Sequence, residues 1–490
     1  MNEVRKLAGQ TIIYGVGTII PRFLNYAILT TFYTYVFEKE QYGVVTELYA
    51  WMALLLIVLT YGMETGFFRF SQKKEDYEKV YSTSLISLFT TSVVFIILVN
   101  IFIRPVAGFL KYSNNFDYIR MFSAIVAIDA FCAIPFARLR RDNRPIVFSV
   151  IKIANVIITI VAVVFLLKIA PGIYKNSTGW FRNIYDPDYG VGYVFLANLI
   201  GSSATMIMLI PFIARVKLKF YRETWNRMIV YSFPLLIAGL SGSINDVIDK
   251  ILLRRLSGEG SGLAIVGEYG AGYKIAVLMA LFIQMFRFAA EPFFFERARR
   301  ENAKETYVTV MKYFVIVMLI IYMVLNLYIS GIQYIIDKSY RSSMVVVPIV
   351  SMAYVLYGVY LNHSIWYKLN DLTRFGVYIT LSGAFVTVII NLLFIPQFGY
   401  MASAWAHVAS YGLMIVLSFI FARKYYPIDY KIGELLPYFL IAITSVIFAA
   451  LYDYSNIWSE LAVNTMLLIG FLGYAQYRDR IFSTFVKGNI

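Results

Sequence analysis

Seven ionisable side chains stand deep inside stretches otherwise apolar enough to cross a bilayer: Arg22, Lys152, Lys250 and Lys274, and Asp129, Asp246 and Asp249. An ionisable group inside a span costs roughly 2.5–3.5 kcal/mol on insertion scales, so each of them is a functional candidate. Several cations, with the carboxylates largely paired, suit an anionic substrate. Arginine meets phosphate oxygens through its planar fork, lysine as a point charge. The four cations are therefore the candidate substrate ligands, and the three carboxylates the candidate counterions or groups that couple to H+ or Na+. Arg22 directly follows Pro21, near Gly15 and Gly17, so a bent or broken helix is expected where this charge sits. Arg22 and Asp129 have opposite sign and read in two ways. They form a buried ion pair that only holds the structure together, or Arg22 faces a cavity with Asp129 as its counterion or as a protonatable coupling group. Asp246 and Lys250 are four residues apart and are expected to pair on one helix face, with Asn245 and Asp249 on a neighbouring one.

The elements that must position these groups follow from composition. The chain has 490 residues, 60% hydrophobic and 15% charged, with mean hydropathy +0.67. Soluble domains carry about 25% charged residues, so an all-α polytopic membrane protein is expected. With about 20 apolar residues needed per span, fourteen spans are read. They are 7–37, 43–68, 80–103, 118–137, 145–169, 191–214, 228–253, 263–290, 306–330, 344–367, 373–395, 400–422, 435–451 and 461–477. No intervening loop can hold a soluble domain. With the N-terminus in the cytoplasm, the cytoplasmic segments hold more than twice as many Lys and Arg residues as the opposite side. Both termini are therefore expected inside. The same bias accounts for the net charge of +15 and the pI near 9.5 with no nucleic-acid partner.

The chain is internally repeated. EQYGVVTELYAWMALLLI opens the second span, IVGEYGAGYKIAVLMALFI opens the eighth, and aligning Gly43 with Gly267 gives an offset of 224 residues. A basic linker, ARVKLKFYRETWNR, joins the halves and suits the inner leaflet surface. The expected plan is two pseudo-symmetric six-helix lobes, 1–220 and 221–430, followed by two helices and a cytoplasmic C-terminus in 431–490. Such repeats place a transport site near the midplane between lobes. At the same offset Asp246 falls opposite Arg22 and Asp249 opposite Asn25, so Arg22 and Asp246 are expected to meet across a cavity mouth.

Absent motifs narrow the function. No GxxxxGK[ST] occurs; GEYGAGYK resembles it superficially, but its Gly and Lys are not adjacent. GEGSG has no preceding strand and reads as a flexible turn. One cysteine, Cys132, excludes an internal disulfide, and two histidines, His363 and His407, leave little for a metal centre. No cofactor, metal or catalytic residue is expected. A membrane glycosyltransferase or polymerase would need a sizeable external loop, yet the first such loop is only 38–42, and the longest, 171–190, has no partner of similar size. The opening MNEVRKLAGQ has no small-residue cleavage site, so no removable signal peptide is expected. Glu64, Arg69, Arg287 and Glu291 at helix ends, with Lys312 and His363, read as interfacial snorkelling, and His407 as a hydrogen-bonded core histidine. The abundant aromatics, 40 Tyr and 39 Phe, are mostly interfacial belts, though some Tyr could stack on sugar faces.

Four stretches carry a resemblance: EQYGV, FARLRRDNRPIVFSVIKIANVI, PLLIAGLSGSINDVIDKILL with VGEYGAGYKIA and AAEPFF, and NLLFIPQFGYMASAWAHVAS. In these, the chain resembles the oligosaccharide/polysaccharide flippases of the MATE-like multidrug/oligosaccharidyl-lipid/polysaccharide exporter superfamily. The resemblance spans most of the chain, in small-residue and turn patterns rather than catalytic signatures. It implies a non-enzymatic bacterial inner-membrane protein. Such a protein moves a polyprenyl-pyrophosphate-linked oligosaccharide from the cytoplasmic to the outer leaflet by alternating access, among membrane lipids and other polysaccharide-assembly proteins. Relatives that flip the peptidoglycan precursor use a cationic cavity with an arginine in the first span. Arg22 is comparably placed, but IIPRFLNYA departs from their Ser-Arg-x-x-Gly pattern, so a surface-polysaccharide or O-antigen unit is expected instead. The nearest alternative is a MATE-type multidrug antiporter, whose cavity should hold unpaired carboxylates and few cations.

Overall fold

In hydrocarbon, a backbone that must satisfy every N–H and C=O internally becomes helix. The computed structural model is helical accordingly, with no strand among the residues it describes: 15, 17–72, 75–176, 179–214, 216–258, 260–298, 301–370 and 372–480. Thirteen helices among them are long and apolar enough to span a membrane. The remaining expected span, 7–37, begins outside the described residues and is helical from residue 17 to Val36.

Its last part is a π-helical turn, Asn25–Leu29, running into α1 (Thr30–Val36). The break expected near Pro21 thus takes the form of a π-bulge one turn further on, a local widening common at functional sites. The second expected span is interrupted. α2 (Lys39–Thr60) ends at Tyr61 and Gly62, both left-handed with φ of 35° and 70°, before the short α3 (Met63–Phe70). Gly62 is required there, because a Cβ would lie 2.7 Å from the Ser232 carbonyl oxygen. α4 (Tyr77–Ile101) and the short α5 (Ile103–Leu110) lead to α6 (Phe116–Arg141), α7 (Pro145–Val164) and α8 (Gly192–Ile213). α9 (Arg222–Leu256) is one continuous helix, whereas the expected eighth span is broken at Val277 into α10 (Gly262–Ala276) and α11 (Leu278–Arg297). There follow α12 (Ala303–Leu327), α13 (Val347–His363), α14 (Arg374–Phe398), α15 (Tyr400–Tyr425), α16 (Ile432–Leu451) and α17 (Ile457–Asp479).

Two compact units result. The first comprises Met1–Arg255 with Gly260–Gly267, the second Leu256–Glu259 with Glu268–Ile490. In the first, α6 is central and packs on α2, α4 and α8, while α8 also packs on α7. In the second, α15 packs on α13 and α14, and α12 joins α13 to the α16–α17 pair.

Within the first unit the two copies of the repeated motif touch. A Cβ on Gly43 would lie 2.0 Å from the Leu263 carbonyl oxygen, and one on Gly267 2.0 Å from the Lys39 carbonyl oxygen. In each case the contacted carbonyl belongs to the residue four before the other glycine. α2 and the start of α10 therefore cross backbone to backbone, and the contact is reciprocal, as a two-fold relation between like motifs makes it.

Candidate polar and cationic sites in the transmembrane units

The central helix α6 brings Asp129 into the first unit. Ser202 on α8 is its polar neighbour, and Lys152 on α7 its cationic one. Lys152 Nζ stands 4.0 Å from the centre of the Phe136 ring, one more favourable contact for a desolvated ammonium. Tyr49 on α2, beside Asn198 on α8, also feels the Asp129 charge. Next to these, Asn155 donates to Thr205 at 2.9 Å, and an added Cβ on Gly201 would lie 2.2 Å from Thr159 Oγ1. Polar side chains of α2, α6, α7 and α8 thus share one interior.

The pairing of Arg22 with Asp129 is corrected by this arrangement. Lys152 is the cation interacting with Asp129, because α7 packs beside α6 and α8. Arg22 is exposed and acts on Tyr26 one turn along, and Asp246 of α9 acts on the same tyrosine. Arg22 and Asp246, matched by the repeat offset, therefore share Tyr26 as a neighbour. The pairing within α9 also differs from the i,i+4 expectation. Lys250 Nζ donates to Asp249, at 2.9 and 3.1 Å from its two oxygens, and reaches Asp246 at its backbone carbonyl, 2.7 Å away. Adjacent helix residues do not ordinarily face one another; here the flexible lysine stem folds back beside the helix. Asp249 is 0% and Lys250 6% exposed, so this pair is an interior one. Lys274 is half-buried on α10, in the second unit.

Several charges expected to snorkel singly are instead paired. Glu64 pairs with Arg140, and Glu291 is met by Arg287 at 3.3 Å and Lys368 at 2.7 Å. Lys312 contacts Asp479 at 2.5 Å and Glu434 at 3.8 Å, because α16 and α17 pack on α12. His363 is a core residue rather than an interfacial one, its Nδ1 2.7 Å from the Ser418 hydroxyl. His407 is buried against the rings of Tyr273 and Tyr411. Two acidic residues escaped the sequence reading. Glu47 is buried in α2 and accepts from the Tyr112 hydroxyl at 2.6 Å, and Glu268 accepts from Tyr400 at 3.1 Å. Both lie inside the repeated motif, and the criterion of depth within an apolar run would have found Glu47. Among the described residues no group of three or more His, Cys, Asp or Glu side chains could hold a metal ion.

The sequence profile of the polysaccharide biosynthesis protein family matches residues 7–297, more than half of the chain. The chain belongs to that family. No curated protein matches it in sequence. The fold of this family member is similar to a lipid II flippase, MurJ, in an inward closed conformation, with TM-score 0.71 and 14% identity over 96% of this chain and all of that one. It is also similar to inward- and outward-facing structures of a MATE-family multidrug resistance transporter, with TM-scores of 0.64 and 0.61 and identities of 16% and 15%. Each covers 84% of this chain, and 97% and 93% of the transporter chains respectively. The family member is thus a multi-pass membrane protein with the fold of these exporters.

Proposed function

We propose that this protein is a flippase for a polyprenyl-pyrophosphate-linked oligosaccharide, a surface-polysaccharide or O-antigen repeat unit. It carries this lipid from the cytoplasmic to the outer leaflet of the bacterial inner membrane by alternating access, without enzymatic chemistry. The observation that carries the reading is membership of a polysaccharide biosynthesis family together with a fold like that of a lipid-linked-precursor flippase over nearly the whole chain. The cations fit the cargo. Arg22 and Lys274, with Lys152 and Lys250 beside their carboxylates, supply positive charge at membrane depth, which a pyrophosphate needs once it leaves the headgroup layer. Transport in this reading is coupled to an H+ or Na+ gradient through Asp129, Asp246 or Asp249. The lobes are 1–220 and 221–430, with 431–490 appended, and both termini are cytoplasmic.

A MATE-type multidrug antiporter is the second reading, favoured by the similarity to MATE structures. The interior carboxylates with close cationic neighbours, Asp249 with Lys250 and Asp129 with Lys152, weigh against a cavity made for cationic drugs. Deleting the gene and extracting the membrane lipids separates the two. The flippase reading expects one lipid-linked oligosaccharide to accumulate on the inner leaflet; normal lipid-linked pools with loss of drug efflux would favour the antiporter.

A further inference from the structure

Glu47 is 1% exposed, two turns into α2. Burying a carboxylate costs several kcal/mol unless its charge and lone pairs are met, so the manner in which Glu47 is met is informative. Tyr112, just after α5, donates its hydroxyl to Oε2 at 2.6 Å. Arg254, in the last turn of α9, places Nε 3.8 Å from the same oxygen, and this buried Nε has no hydrogen-bond partner. Arginine pairs that hold a fold together close to a bidentate contact at about 2.8 Å. The Arg254 contact feels the charge of Glu47 without a hydrogen bond to it. Arg255, next along, is fastened differently: it donates to the Phe109 carbonyl at 2.7 Å, with its guanidinium 4.5 Å from the centre of the Phe109 ring. The charged and titratable groups acting on Glu47 are Tyr112, Arg254 and Arg255, with Tyr118 behind Tyr112.

We propose that Glu47 is a proton-binding site that controls how the end of α9 is attached to α2 and α5, an inference resting on the flippase reading only for its consequence in transport. When Glu47 takes up a proton, an O–H bond forms on one carboxylate oxygen and the negative charge disappears. The Tyr112 hydroxyl still has the carbonyl oxygen of the acid to donate to, so that contact survives. Arg254 loses the charge that drew it in. The contacts of Arg255 involve a neutral carbonyl and a ring and are unaffected. Protonation therefore releases one attachment of α9 and spares the others, one turn away from the buried Asp249–Lys250 pair.

The test uses full-length protein in lipid nanodiscs and needs no substrate. Hydrogen–deuterium exchange of the peptide spanning Arg254–Leu256 is measured between about pH 5.5 and pH 8, across which buried carboxylates titrate, and corrected for intrinsic exchange. Wild type is expected to exchange at least about fivefold faster at the acidic end. Glu47→Gln should exchange fast at both ends, and Glu47→Asp should keep the pH dependence. A wild-type peptide insensitive to pH, or a Glu47→Gln peptide that follows the wild-type profile, overturns the proposal. If Glu47→Gln fails to fold, Arg254→Gln reports instead, since it should remove the pH dependence while leaving Glu47 in place. Flipping of a fluorescent polyprenyl-pyrophosphate disaccharide is then read separately. Exchange that switches in a protein that moves no such lipid would contradict the flippase reading and leave the proton site standing.

Discussion

Replacing Gly43 or Gly267 by alanine tests the reciprocal crossing of the repeated motif. An added Cβ at either position would stand 2.0 Å from a backbone carbonyl oxygen, where real Cβ contacts do not fall below 3.0 Å. The obstacle is backbone, so no rotamer change relieves it and the helices must part by about 1 Å, an overpacking that costs about 1–3 kcal/mol. The intrinsic preference of alanine for helix returns less than about 1 kcal/mol of this. Because one separation relieves both clashes, the double variant Gly43→Ala/Gly267→Ala should cost clearly less than the two single costs added together. The controls are Gly242→Ala in α9 and Gly412→Ala in α15, where a Cβ meets nothing within 4 Å; both should be neutral or slightly stabilising. The assay is thermal unfolding of detergent-purified protein, followed by fluorescence-detected gel filtration. The single variants should melt several degrees lower, about the shift expected for this range of free energy. Single variants that melt like the controls, or a double variant with fully additive loss, would refute the close reciprocal crossing.

Three further outcomes follow from the charges. Asp129→Leu or Lys152→Met alone leaves its neighbour without an opposite charge and should destabilise by about 3–5 kcal/mol, whereas the combined variant should recover most of this in a double-mutant cycle. Additive losses would show that the two do not interact. Arg22→Ala should abolish flipping with expression and membrane insertion intact, and Arg22→Lys should restore part of it; full transport by Arg22→Ala in a vesicle assay removes the pyrophosphate role. Asp479→Ala takes the carboxylate from Lys312 and from the Tyr438 hydroxyl. It should loosen α16 and α17 from α12 at a cost of about 1–3 kcal/mol, seen as faster proteolysis beyond residue 430, while unchanged cleavage would contradict that attachment.

Much of the fold was legible because hydrocarbon leaves the backbone few options: a sufficiently long apolar run must be helix, and composition alone marks it. The interruptions at Tyr61–Gly62 and Val277 were not legible. Both occur inside apolar runs, and Gly62 is set by the approach of the Ser232 carbonyl, a contact 170 residues away in sequence. The repeat offset aligned Gly43 with Gly267 without implying that they touch, and the contact between them emerges only in the structure; it matched Arg22 to Asp246, and both act on Tyr26. Charge partners were less legible, since periodicity relates residues within one helix only. It suggested Asp246 for Lys250 where the lysine stem turns to Asp249, and it could not tell that α7 would bring Lys152 to Asp129. The end-of-helix charges were misread for the same reason: Lys312 looks interfacial until α17 supplies Asp479.

The most direct test of the account is translocation by the purified protein in proteoliposomes. A fluorescent polyprenyl-pyrophosphate oligosaccharide is placed in both leaflets, and its exposure to a membrane-impermeant quencher is followed against efflux of a cationic dye from the same vesicles. The account predicts protein-dependent movement of the lipid-linked oligosaccharide, lost in Arg22→Ala, with no dye efflux. Dye efflux driven by an ion gradient, with the inner-leaflet share of the lipid-linked oligosaccharide staying protected from the quencher, would contradict it.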